Sequence, residues 1–311
     1  MTRKLPDRVI AAAQDRFDDL TIRDNTVPLT VQEAQQSLID FDAVLPTLGD
    51  QYGAAAFDGG GFRCKLLANF GVGYNHIDTG AAAAAGIAVT NTPGAVTDAT
   101  ADIAMTLMLM ALRRAGEGER LVRAGNWAGW HPTQMLGLHM SGKTVGIIGM
   151  GRIGQAIADR CRLGFGMNVV FHNRSEKAID GCTQLGSLND VMAAADVVVL
   201  AMPGGPATKH IIGAEALAAM QPHAFLVNIA RGDVMDESAL VAALQQGQIA
   251  GAGLDVYEFE PKVPDALMAM ENVTLLPHLG TATLEVREDM GLMAVRNLIA
   301  HLDGQALPNP V

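Results

Sequence analysis

Aromatic residues, charge and cysteine are all scarce in this chain, and each scarcity removes a class of reading. Of the 311 residues 5% are aromatic and 18% charged, and the net charge is −11 at pH 7. That balance argues against nucleic acid or an anionic membrane surface as a partner, and any anionic ligand must be held by a local cluster of positive groups. The three cysteines, Cys64, Cys161 and Cys182, are odd in number and lack metal-like spacing. Free thiols in a reducing cytoplasm are therefore expected, and no metal site. The most apolar stretches, residues 103–112 and 197–202, fall well short of the about 20 residues that span a bilayer. Residues 1–19 meet Gln14, Asp15 and Asp18 before any apolar core of signal-peptide length forms. A soluble protein is expected.

What the chain does have is apolar mass and glycine: 49% hydrophobic residues and 34 Gly. Its length favours two domains over one. Residues 143–175 are the stretch on which the rest depends. Thr144 to Ile148 is a short apolar, β-branched run; Gly149, Gly151 and Gly154 follow in G-x-G-x-x-G spacing; Ile153, Ala156, Ile157 and Cys161 then recur at helical intervals. Strand, tight turn and helix in that order suit a dinucleotide. One glycine permits the turn, a second lets the backbone approach the pyrophosphate, and the third lets helix pack on strand. The helix N-terminus then faces the phosphates with free N–H groups and a favourable dipole.

The next strand, residues 168–171, ends roughly 20 residues past the glycines, where an NAD site carries Asp or Glu for the ribose 2′-hydroxyl. Here the chain reads His172-Asn173-Arg174-Ser175, with no carboxylate. A guanidinium beside amide and hydroxyl donors suits a 2′-phosphate, which predicts NADPH over NADH.

Taken in order, residues 31–38 read as helix and residues 43–46, 64–70 and 87–90 as extended segments, a small α/β unit. Between the last two strands lies Gly71-Val72-Gly73, whose glycines free backbone N–H groups to face an anion or simply make a turn. Residues 97–123 read as one long helix with Thr97 or Asp98 as N-cap. Residues 125–138 form a loop carrying Trp127 and Trp130. Further apolar runs at 196–202, 225–229, 251–256 and 273–276 alternate with helical patterns at 214–220 and 237–246. That alternation predicts a parallel sheet with helices on both faces and ligands beyond the carboxyl ends of its strands.

Arg231, Asp255, Glu260 and His278 stand just past those ends. Singly, Arg231, Glu260 and His278 each have an ordinary explanation: a helix cap or a partner for Asp233, a solvated loop carboxylate, a core histidine. Following consecutive strands of one sheet, they should converge. Hydride transfer from a nicotinamide to a 2-keto acid needs a cation for the carboxylate and ketone, a proton donor for the developing alkoxide, and orientation of both. Arg231 fits the first role and His278 the second, its imidazolium kept protonated by the Glu260 carboxylate. Asp255 would hold the nicotinamide carboxamide.

With these residues assembled, the chain resembles the D-isomer-specific 2-hydroxyacid dehydrogenases, most closely their glyoxylate/hydroxypyruvate reductase branch. The resemblance rests on Gly71-Val72-Gly73 with Ile77-Asp78, residues 97–102, residues 142–155, Asn228-Ile229-Ala230-Arg231-Gly232, residues 254–261 and Pro277-His278-Leu279-Gly280. It implies an α/β protein: a doubly wound parallel-sheet (Rossmann) dinucleotide-binding domain over residues 100–284, and a smaller flavodoxin-like substrate domain over residues 1–99 and 285–311. It also implies a homodimer, catalysis by Arg231, Glu260 and His278, and substrate carboxylate on the backbone of Val72 and Gly73. Cofactor contacts carried over are Thr100, Gly149, Gly151, Arg152, Ile153, Gly154, Pro203, Thr208, Ala230 and Asp255, beside Asn173, Arg174 and Ser175. Asn75 and Asp98 depart from the family's usual Asp and Glu, and Gly204-Gly205 is expected to loosen the turn after Pro203.

The function so implied is NADPH-dependent reduction of small 2-keto acids such as glyoxylate and hydroxypyruvate to D-2-hydroxy acids. The alternatives are an NADH-linked dehydrogenase of a bulkier acid, phosphoglycerate or D-lactate, and a non-catalytic dinucleotide-sensing interaction protein.

Overall fold

In the computed structural model, which describes residues Met1–Val311, the chain forms two units, residues 1–96 with 281–311 and residues 97–280. Helices and strands are numbered in chain order. The first unit is built on α1 (Asp7–Gln14), α2 (Val31–Asp40), β1 (Ala43–Val44), β2 (Leu66–Ala68), α3 (Thr79–Ala84) and β3 (Ala88–Thr90). Thr30 and Glu33 form a reciprocal capping box at the start of α2, and Asp78 caps α3 through the Ala81 amide. The three strands pair in parallel in the order β1-β2-β3. The last helix, α11 (Leu284–Leu302), returns to this unit and packs on α1. Beyond it Pro310 pairs antiparallel with Thr90 and the Val311 amide donates to Val89 O.

The second unit opens with α4 (Thr97–Leu112) and α5 (Ala115–Arg123), not the single helix expected over 97–123. The break has a local cause. Arg114 adopts a left-handed φ of 53°, its guanidinium makes a bidentate pair with Glu117 in the first turn of α5, and the Leu138 amide takes up the carbonyl of Leu112 at the end of α4. A terminal carbonyl satisfied by a returning loop no longer directs the helix onward. The loop after α5 leaves Trp127, Trp130 and Leu136 exposed.

There follow β4 (Thr144–Ile148), α6 (Arg152–Asp159), β5 (Asn168–His172), β6 (Cys182–Gln184), α7 (Leu188–Ala194), β7 (Val197–Leu200), α8 (Ala214–Ala218), β8 (Phe225–Asn228), α9 (Glu237–Gln245), β9 (Gly251–Leu254), α10 (Asp265–Met268) and β10 (Val273–Leu275). All seven strands are parallel, in the order β10-β9-β8-β7-β4-β5-β6. Strand order reverses between β4 and β7. Alternate side chains enter opposite cores: Val197 and Val199 pack with Leu107, Ile147 and Ile157, while Val198 and Leu200 pack with Val191, Leu217 and Leu240. Full burial on both faces is why these strands read as unbroken apolar runs, each buried Val or Leu contributing about 1.5–3 kcal/mol before entropy is counted.

The three cysteines are free thiols. Burial pushes Cys64 up to about 11 and Cys161 up to about 12, so both stay protonated and inert at neutral pH. No helix is long and apolar enough to cross a membrane.

Candidate active site

The reversal between β4 and β7 is where an open parallel sheet receives a ligand, and the three glycines after β4 divide their labour there. Gly149 turns the chain at φ 99°, and a Cβ on it would stand 2.7 Å from the Met202 amide nitrogen. A Cβ at Gly154 would meet Gly149 O at 2.2 Å, so only glycine lets α6 lie this close to the strand. At Gly151 a Cβ would meet nothing within 4 Å. Open space thus lies over the backbone at the one position where a pyrophosphate must approach. No side chain caps the α6 N-terminus formed by Arg152, Ile153 and Gly154. The turn fits a dinucleotide.

At the end of β5, Asn173 is occupied twice: its Oδ1 accepts from the Met150 amide at 3.2 Å, and its Nδ2 donates to Ser175 O and Oγ at 2.9 and 3.0 Å. Asn173 therefore ties the glycine loop to the segment beside it. Arg174 is exposed and forms no ion pair. Gln184 of β6 braces the same segment through Asn173 O and Ser175 O.

On the other side of the reversal, β8, β9 and β10 are neighbours, and the chain past each carries one of the expected side chains. Asn228, fully buried at the end of β8, sets the first turn: its Oδ1 accepts from the Ala230 amide and its Nδ2 donates to Arg231 O, both at 3.0 Å. Arg231 spends one N–H on Ala230 O at 2.7 Å. Burial lowers its pKa against the opposing pull of the Glu260 and Asp233 carboxylates; a guanidinium remains a cation regardless. The next residue is the tightest contact of the site. A Cβ on Gly232 would fall 1.8 Å from the Tyr257 carbonyl carbon, so the Arg231 turn lies directly on the chain that leads to Glu260.

Glu260 accepts from the Tyr257 amide at 3.0 Å through Oε1 and meets His278 Nδ1 at 2.9 Å through Oε2. Burial pushes its carboxyl up, but the hydrogen bond and charge of His278, the Tyr257 amide and the Arg231 charge together hold it below its usual value. With Nδ1 engaged by the carboxylate, Nε2 is the ring nitrogen left without a protein partner. Tyr257 anchors the two loops, its hydroxyl donating to Leu276 O at 2.9 Å.

His278 sits at a left-handed φ of 56°, which costs energy for a residue with a Cβ and persists only where neighbours enforce it. Asp255 enforces it. Its backbone O accepts from the His278 amide at 2.9 Å, and its two carboxylate oxygens accept from the amides of Leu279 and Gly280 at 2.6 and 2.8 Å. Burial raises the Asp255 pKa despite those two amides. Thr100 completes the clamp, its hydroxyl donating to Gly280 O at 3.0 Å. Asp255 and Thr100, expected as cofactor contacts, are thus found holding the turn that presents the imidazole.

The loop after β7 is not loosened by Gly204-Gly205. Thr208 closes it, its hydroxyl donating to Pro203 O at 2.8 Å, and a Cβ on Gly204 would crowd Arg231 Cγ at 2.7 Å. His210 Nε2 meets Glu258 Oε1 at 2.7 Å, linking this loop to the one that bears Glu260. Gly204 and His210 do not announce these contacts in sequence; Asn228, a polar residue closing an apolar strand, offered a signal.

In the first unit, Gly71-Val72-Gly73 follows β2, and the amides of Val72 and Gly73 donate to no acceptor in the protein.

A sheet of this order, carrying this glycine turn with Arg, Glu and His beyond three adjacent strands, defines a nicotinamide-dependent oxidoreductase. The model of the D-isomer specific 2-hydroxyacid dehydrogenase NAD-binding domain matches residues 105–280, and the chain belongs to that family. The chain is 42% identical to the glyoxylate reductase of Thermococcus kodakarensis, over 100% of its own length and 95% of the relative's. Among solved structures it is similar to a protein from Thermus thermophilus (41% identity, TM-score 0.92, covering 100% and 98% of the two chains). It is also similar to an NADPH-dependent glyoxylate/hydroxypyruvate reductase from Sinorhizobium meliloti, solved with NADP and malonate (36% identity, TM-score 0.89, covering 100% and 95%).

Proposed function

We propose that this protein reduces small 2-keto acids with NADPH, glyoxylate to the achiral 2-hydroxy acid and hydroxypyruvate to the D-2-hydroxy acid. The observation that carries the reading is the 2.9 Å contact between His278 Nδ1 and Glu260 Oε2, formed where the Arg231 turn lies against the Glu260 loop. The names of the relatives at about 40% identity support the substrate class. The glycine turn, the α6 N-terminus and the loop from Pro203 to Thr208 would hold the dinucleotide, whose reduced nicotinamide supplies hydride when bound. Arg231 holds the 2-keto acid and polarises its ketone. In the first unit the Val72 and Gly73 amides, without an acceptor in the protein, suit a carboxylate. His278 gives the Nε2 proton to the ketone oxygen as negative charge develops there, and Glu260 balances the imidazolium from Nδ1.

The coenzyme preference rests on Arg174, a guanidinium without a carboxylate partner directly after β5. With glyoxylate as substrate, kcat/KM is expected to be higher for NADPH than NADH, and Arg174→Ala to lower the NADPH value by on the order of tenfold while sparing NADH. A wild-type preference for NADH would overturn this assignment.

Glu260 sets a pH signature. Because its carboxyl is held below the usual range, the anion facing His278 Nδ1 persists on the acid side and is lost only as pH falls through that lowered value, so kcat/KM should hold to a lower pH than an ordinary carboxylate would allow. Glu260→Gln removes the titrating carboxylate, so the acid-side decline of kcat/KM set by that group should vanish from the profile. Superimposable profiles would contradict the role.

Exposed Val122, Trp127, Trp130, Leu136 and Leu163 on the second unit fit burial in a homodimer. Three free thiols suit the reducing cytoplasm, and the net charge of −11 suits a small-molecule substrate in preference to nucleic acid or membrane.

A further inference from the structure

The loop after β2 carries an arrangement that the glycine spacing alone does not explain. Asn69, fully buried at the end of that strand, donates from Nδ2 to two carbonyls at once, Gly71 O at 3.0 Å and Gly73 O at 3.1 Å. Asn91, just past β3, donates from Nδ2 to the carbonyl between them, Val72 O, at 2.9 Å, and the Thr92 amide adds a second bond to Gly71 O at 3.1 Å. Three successive carbonyls are therefore drawn inward. In a trans peptide the C=O and the following N–H point in opposite directions. Turning the carbonyls of Gly71, Val72 and Gly73 inward thus turns the amides of Val72, Gly73 and Tyr74 outward. None of these three amides has an acceptor in the protein. Gly71, at φ 151°, supplies the backbone freedom this sequence of peptide planes needs.

Asn69 holds this posture at a cost, because its own Oδ1 is buried without a partner. A residue kept only to complete the fold would gain by satisfying that oxygen. Asn91 is braced from behind: its amide donates to Asn309 O at 3.1 Å, and Asn309 is gripped by the buried Asn297 of α11 through bonds of 3.1 Å in both directions. The C-terminal tail is thereby part of the scaffold behind the loop.

We propose that Asn69 is a positioning residue for substrate: by holding the Gly71 and Gly73 carbonyls it aims a row of three amides, the Tyr74 N–H included, at the carboxylate of a 2-keto acid, and Asn91 does the same through Val72. The inference rests on the reading of the protein as a 2-keto acid reductase. Asn69→Leu keeps the volume and removes both donors. It is expected to raise KM for glyoxylate and Kd for oxalate on the order of tenfold, with KM for NADPH unchanged and kcat lowered far less. A purely structural role would lower the melting temperature and the active fraction and leave KM and the oxalate Kd where they were; that result overturns the proposal. Should Asn69→Leu fail to fold, Asn91→Ala, which removes one donor at a half-buried site, carries the test with a rise of about threefold in both constants; unchanged constants there overturn it equally. Oxalate binding by calorimetry needs no turnover. Failure of the wild type to reduce glyoxylate would therefore defeat the assigned reaction, while equal oxalate binding by wild type and variants would defeat the role of Asn69.

Discussion

His278→Ala is expected to lower kcat for glyoxylate by about 10²–10⁴-fold while KM for NADPH holds, the loss a missing general acid produces. The structure separates the ring from the turn that bears it. The turn is fixed by backbone amides of residues 278–280 on Asp255 and by Thr100 on Gly280 O, none of which involves the imidazole. Deleting the ring therefore removes the proton at Nε2 and the partner of Glu260, and leaves the scaffold. Alanine at φ 56° carries backbone strain that asparagine tolerates better, so His278→Asn serves as the control for stability. Both variants should lose turnover alike, and near wild-type kcat in either would exclude the imidazole as donor.

Arg231→Ala should raise KM and lower kcat together, with kcat/KM falling by roughly 10³-fold or more, if the proposed reading holds and one cation serves both bound substrate and the transition-state oxygen. Its side chain makes one hydrogen bond within the protein, to Ala230 O, so fold and NADPH affinity should survive. Arg231→Lys restores charge but not the planar pair of donors, and should recover only part of the loss. A change confined to KM would reduce Arg231 to an anchor for the substrate.

How far these roles were legible in sequence follows from the range of the interactions that create them. The glycine turn was readable because a positive φ at Gly149, an open approach at Gly151 and the close pass of Gly154 over Gly149 O are set within six residues of chain, whereas the contact of Gly149 with Met202 was not legible. Arg231, Glu260 and His278 could be placed because short loops follow buried, unbroken strands, and parallel pairing of β8, β9 and β10 does the rest. Other features depend on contacts between distant segments. The helix break at Arg114 turns on a carbonyl captured by Leu138, and a non-glycine residue in a left-handed conformation leaves no mark in a helical pattern. Gly204 read as slack in the loop after β7, whereas the Arg231 stem fills the place of its missing side chain. Asp255 reads as a strand-end carboxylate; that it spends both oxygens on the His278 turn depends on a strand pairing about 20 residues away in the chain, the scale of one strand–helix repeat.

The proton-donor arrangement meets its most direct test in a single turnover with NADPH bound beforehand and glyoxylate added, following loss of the reduced nicotinamide in the wild type and in His278→Asn. Rapid oxidation by the wild type and a rate lower by at least about 10²-fold in the variant, at equal NADPH occupancy, is the expected result. Equal rates in the two proteins, or no oxidation by the wild type, would contradict it.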